Sequence, residues 1–135
     1  MARLFSDKSS VRVLDVGAGT GLTGVEVGGL KFLHAHKYAR NLQNSYDAVC
    51  IVGSFGPGAI PPSALSEFAR VIKPGGYIVN CMREEYIWTV PQYKDKLVPY
   101  LEDMEKQGLI QQVEWYTYPG HYQDKAGVRM VYRVC

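Results

Sequence analysis

The strongest constraint in the sequence is a β-branched run that stops abruptly at a glycine-rich loop. Val11 to Val16 reads Val-Arg-Val-Leu-Asp-Val, and Gly17-Ala18-Gly19-Thr20-Gly21 follows at once. A short apolar run bounded by glycines is the pattern of a buried parallel strand. Glycine, lacking a Cβ, admits positive φ and lets a ligand approach the main chain, while a helix starting after the loop presents unpaired N–H groups. The element therefore predicts a strand, a ligand-cradling loop and a helix, since a plain tight turn seldom needs three alternating glycines. Thr20 or a neighbour is placed to cap a helix through Leu22, Val25 and Glu26, which Gly28-Gly29 cuts short.

Further units of the same kind follow. Residues Gly28 to Asn44 carry Lys31, His34, His36, Lys37 and Arg40 between apolar Leu30, Phe32, Leu33, Tyr38, Ala39 and Leu42, a rough helical period. Tyr46 to Val52 reads as a second buried strand entering a loop through Gly53, Gly56, Pro57, Gly58, Pro61 and Pro62. Ser63 to Ile72 is the next helix, with Pro62 in its first turn and Leu65, Phe68 and Ile72 on the face expected to pack on a sheet. Lys73-Pro74-Gly75-Gly76 stops that helix and turns into a third strand, Tyr77 to Cys81. A helix marked by Tyr93, Leu97, Tyr100, Leu101 and Met104 runs toward Gly108, with Pro99 expected to kink it. Val113–Tyr118 and Val128–Val134 are expected to pair antiparallel around a turn through Pro119, Gly120 and Gly127. This order predicts a three-layer α/β sandwich with a mostly parallel sheet and an antiparallel last strand, one domain spanning residues 1–135.

Composition narrows the function classes. The chain has 135 residues, and its formal charge of +2 lacks the clustered basic face of nucleic-acid binders. No window is long and apolar enough to span a bilayer, and the amino terminus lacks the apolar stretch of a signal peptide. Cys50, Cys81 and Cys135 are odd in number, and the first two lie in apolar runs, which points to a reducing, cytoplasmic setting. His34 and His36 have no cysteine or carboxylate beside them to complete a metal site, so a solvated or stacked pair is expected and no metal. Tyr86, Trp88, Trp115, Tyr116, Tyr118 and Tyr122 are dense enough to line a pocket, but aromatic residues of this kind usually pack. No Ser-His-Asp, Cys-His or paired-carboxylate arrangement stands out, so no catalytic residue is assigned.

Two cofactor classes compete for the glycine loop. Gly19, Gly21 and Gly24 match the dinucleotide pattern, but its first glycine should directly follow the strand, and counting from Gly17 the pattern fails at Leu22. The ribose-binding acid of that pattern is also lacking, since no Asp or Glu lies between Glu26 and Asp47.

Val-Leu-Asp-Val-Gly-Ala-Gly-Thr-Gly (13–21) resembles instead the first motif of class I methyltransferases. Ser45-Tyr46-Asp47-Ala48-Val49 resembles their fourth strand, and Leu65 to Ile78, including Phe68-Ala69-Arg70-Val71-Ile72-Lys73-Pro74-Gly75-Gly76, resembles the helix and fifth strand. Val52 to Leu65 looks most like the methyltransferase-like proteins of the Williams-Beuren syndrome region. The resemblance implies a Rossmann-like fold, S-adenosylmethionine as cofactor, and an unidentified small-molecule or protein methyl acceptor. It further implies cofactor contacts from Asp15, Gly17, Ala18, Gly19, Thr20, Gly21, Gly53 and Ser54. In that family a second strand ending in a ribose-binding acid, a helix and a third strand separate the first motif from the fourth strand. Only Leu22 to Ser45 is available here, so part of the second and third strand region is expected to be lacking. That shortening predicts two things: an edge on the first strand left to be covered either by the segment Gly28 to Asn44 or by a second copy in a homodimer, and, as an alternative function, a catalytically inactive methyltransferase-like protein acting through protein contacts.

Overall fold

The computed structural model describes residues 4–6, 10–16, 31–34 and 43–135. Six strands form one sheet: β1 (Arg12–Val16), β2 (Lys31–His34), β3 (Tyr46–Val52), β4 (Ile72–Arg83), β5 (Ile110–Tyr122) and β6 (Lys125–Val134). Their order across the sheet is β2-β1-β3-β4-β6-β5. The first four strands run parallel, whereas β6 is antiparallel to both β4 and β5. Three helices are described: α1 (Ala64–Val71), α2 (Tyr86–Thr89) and α3 (Leu97–Lys106).

The expected α/β order is present, with four adjustments. The first concerns Gly28 to Asn44, expected to be helical: Lys31–His34 is a strand, paired parallel with β1 from Arg12↔Lys31 to Asp15↔His34. The edge of β1 is therefore covered by part of the Gly28 to Asn44 segment. Second, Lys73 to Gly76 does not end an element but forms a bulge inside β4. Ile72 pairs with Tyr46 and Tyr77 with Ala48, so four residues sit opposite one. Third, Pro119-Gly120 is likewise a register shift within β5; the hairpin turns at Gln123-Asp124, where Gln123 has φ +52°. Fourth, Pro99 occupies the first turn of α3, where a missing N–H costs nothing, so it has no kink to make.

All three described helices pack on one face of the sheet. Leu65 and Val71 of α1, Ile87 of α2, and Leu97, Leu101 and Met104 of α3 join Ile78, Met82, Val128 and Met130 of the strands in the main core. On the opposite face, Val11, Val13, Ala48 and Cys50 form a second cluster, with Phe5 packed edge-on against Tyr77. The helix expected after Thr20, part of a third layer on the sheet, lies outside the described residues. Among the described residues no helix is long and apolar enough to cross a membrane.

Of the three residues expected to face the sheet from the first helix, Leu65 is buried, and Ile72 is buried as the opening residue of β4. Phe68 is only half-buried, packed at the margin of the core. A fully buried leucine loses both transfer energy and packing on truncation. Leu65→Ala should thus cost about 2–5 kcal/mol and Phe68→Ala less than the 3–5 kcal/mol of a buried phenylalanine. Urea denaturation of both variants checks the order, which reverses if the helix is rotated from this phase.

Candidate functional site

The carboxyl ends of parallel strands are where α/β sheets bind ligands, and here β1 and β3 deliver theirs side by side. Asp15 pairs with Cys50 and Val16 with Ile51, so both loops leave the sheet at one level. The Ser54 hydroxyl donates to the Val16 carbonyl at 2.8 Å, tying the second loop to the last residue before the first. Gly53, at φ +68°, makes the turn; a Cβ there would meet no atom within 4 Å, so the point is open on its outer side. The Gly53 amide donates to the carbonyl of Cys81, joining β4 to the same junction.

The loop that follows β3 is held from below. Phe55 is buried against the Tyr93 ring, with centroids 5.4 Å apart. The Tyr93 hydroxyl, itself fully buried, accepts from the Gly56 amide at 2.9 Å and lies 2.8 Å from the carbonyl of Ile60. Burial raises the pKa of that phenol above its ordinary value, keeping it protonated. The Gln92 amide donates to the Ala59 carbonyl at 2.9 Å. Gly53 to Pro62 is therefore a supported platform.

Of the eight residues expected to touch a cofactor, Asp15, Gly53 and Ser54 are brought together. Gly17, Ala18, Gly19, Thr20 and Gly21 lie outside the described residues. Asp15 is buried on the sheet face opposite the main core and faces Cys50, whose thiol is pushed up to about 12 by burial and then by the Asp15 charge. Cys50 is thus protonated and unreactive at neutral pH.

A second group of polar side chains crosses the same face from β4 to β5. The Tyr118 hydroxyl and His121 Nδ1 are 2.6 Å apart, and the Cys81 thiol reaches the same hydroxyl. The Tyr118 ring lies over Gly127, where any Cβ would collide with it. Arg129 makes two hydrogen bonds to Glu114 at 2.7 and 2.8 Å and covers the Tyr116 ring. Beside them, the Arg83 guanidinium sits 5.0 Å from both the Tyr86 and Tyr122 ring centroids and pairs with Glu85. This constellation gave no sequence signal, because residues 81, 118 and 121 meet only through sheet pairing. The aromatic residues expected to pack are not all buried: Trp88 is 58% exposed, Tyr116 50% and Tyr122 56%.

No family model matches the chain. Human methyltransferase-like protein 27 is 29% identical over 128 residues, covering 74% of this chain and 51% of that protein, so the chain spans about half the length of the curated relative it matches. Among solved structures, the [4+2]-cyclase SpnF superposes with a TM-score of 0.70 at 14% identity, covering 98% of this chain and 77% of that one. A 16S rRNA (adenine(1408)-N(1))-methyltransferase from Catenulisporales acidiphilia gives 0.64 at 16% identity, covering 94% and 86%. TYW2 from P. horikoshii, solved in complex with MeSAdo, gives 0.61 at 14%, covering 98% and 60%.

Burial and then the nearby Arg83 charge hold His121 below the ordinary imidazole pKa. Protonation is therefore harder in the folded state than in the unfolded one, and this residue's contribution to stability, full above about pH 6.5, is lost as pH falls below that value. A proton-NMR titration should place the His121 midpoint below 6.5, and Arg83→Met should move it up; a midpoint at or above 6.5 in the unmodified protein contradicts the buried, cation-flanked position. On its fold and sequence together, the chain has the class I methyltransferase fold and is similar to methyltransferase-like protein 27.

Proposed function

We propose that this domain binds S-adenosylmethionine through the cofactor's methionine end, at the joined carboxyl ends of β1 and β3, and serves methyl transfer to a small-molecule or protein acceptor in the cytoplasm. The observation that carries the reading is the Ser54 hydroxyl on the Val16 carbonyl, which sets the platform after β3 against the last residue before the first-motif loop. In this reading Asp15, Gly17, Ala18, Gly19, Thr20 and Gly21 form the cradle, with Gly53 and Ser54 beside the reactive end. The open outer side of Gly53 and the fixed platform fit that end of the ligand.

The adenosine end fits less well. β2 stands next to β1, where the related enzymes carry their ribose-binding strand, but it ends in His34 and continues Ala35-His36. No carboxylate lies between Glu26 and Asp47 to accept from the ribose hydroxyls. The 128-residue match to the human relative draws on fewer residues of this chain than its own length, so the relative carries internal positions absent here. A shortened connection between β1 and β3 accounts for both facts. Each missing hydrogen bond to a charged acceptor costs about 1.5–3 kcal/mol, roughly tenfold or more in affinity.

The same observation favours a second reading, a methyltransferase-fold protein that has lost catalysis and acts through protein contacts. Fold alone does not decide between them, as sites of different chemistry share one framework. Calorimetric titration with S-adenosylhomocysteine separates the two. The first reading predicts saturable binding, weaker than micromolar, that is lost in Gly19→Val and weakened by about 2–10-fold in Ser54→Ala. No detectable heat at millimolar ligand selects the second reading. Submicromolar binding contradicts the argument from the missing acid.

A further inference from the structure

A groove unrelated to the cofactor junction lies between α3 and the sheet's outermost strand, β5. It has a volume of about 320 Å³, at the small end for ligand sites. Both tryptophans of the chain, Trp88 and Trp115, line it, together with Tyr132 and Gln112 and the carboxylates Glu102 and Glu105. Among the described residues lining it there is no lysine or arginine. Trp88, on the short helix α2, is 58% exposed, a position that packing does not explain.

The electrostatics of the groove have one sign. Tryptophan faces carry the most negative potential of the aromatic side chains, and Glu102 and Glu105 lie one turn apart on the same side of α3. Their fields converge on the Tyr132 hydroxyl, which burial and both carboxylates hold above its ordinary pKa and which points toward Gln112 at 3.2 Å. Glu105 Oε1 is fixed by the Gln112 amide at 2.7 Å, so one carboxylate is oriented before any ligand arrives. An alkyl stem between two indoles with an ammonium head toward two carboxylates satisfies both the apolar and the charged parts of such a lining. The groove also runs along a terminal strand, the place where an extended polypeptide can lie against a sheet.

We propose that the Trp88–Trp115 groove is a binding site for a lysine side chain, free or N-methylated, presented by an extended segment of a partner polypeptide. The site is independent of the cofactor, so it stands or falls apart from the methyl-transfer reading. It gives the domain a docking point for basic segments on the face that carries α2 and α3.

The two indole N–H signals of the ¹⁵N-labelled protein report on the groove directly, since the chain has only two tryptophans. The probes are three otherwise identical glycine/serine peptides carrying lysine, trimethyllysine or norleucine, the last keeping the stem and losing the charge. The expected result is saturable movement of both signals with the two cationic peptides, at least tenfold weaker binding of the norleucine peptide, and a further loss at high salt. Trp88→Ala and Glu102→Gln, both at exposed positions, should each weaken lysine-peptide binding at least threefold with unchanged melting temperature. Equal binding of the norleucine peptide, no movement at millimolar peptide, or unaltered affinity in both variants would each overturn the assignment.

Discussion

Everything else in this molecule depends on the register between β1 and β3. Two strands with no sequence contact are fixed at both ends by short polar side chains. At the amino ends, Asp47 accepts from the Arg12 amide at 2.8 Å and from Lys73 Nζ at 3.1 Å, drawing β1, β3 and the start of β4 together. At the carboxyl ends, Ser54 closes on the Val16 carbonyl. Hydrogen bonds with a charged partner contribute about 1.5–3 kcal/mol and neutral ones about 0.5–1.5 kcal/mol, enough to choose one register among those that bury the same apolar residues. A one-residue slip would carry Val13 and Leu14 to the wrong faces and part Val16 from Ser54.

The parallel step from β1 to β2 also fits the length of chain between them. A parallel crossover needs about a dozen residues, and residues 17–30 suffice for one such return, which places β2 against β1 and pairs its outer side. The main core joins β1, β3, β4, β5, β6 and the three described helices.

Much of this was legible in the sequence, and the failures have physical causes. The strand before the glycine loop, β3, α1 and the antiparallel last pair are visible because their apolar residues recur at the strand or helix period. Lys31-Phe32-Leu33-His34 was not, since four residues show only two strand repeats and sit among positions that also match a helix. Pro119-Gly120 has turn composition yet works as a bulge, because the antiparallel pairing resumes at Tyr122. Asp15, Gly53 and Ser54 could be named as candidates from the family resemblance, whereas Tyr93, which supports the loop after β3, reads in sequence only as one more apolar residue of a helix. The Cys81, Tyr118 and His121 contact and the Trp88 groove arise from β4, β5 and α3 meeting in space, a relation that no local pattern encodes.

The account's central claim is a place: the junction of the loops after β1 and β3 holds the cofactor's methionine end. Mapping backbone amide shifts of the labelled protein during titration with S-adenosylhomocysteine tests that place directly. The account predicts saturable changes concentrated at Asp15, Val16, Gly53 and Ser54, with the Lys125–Val134 strand largely still. Saturable changes that spare those four residues and gather elsewhere would contradict it.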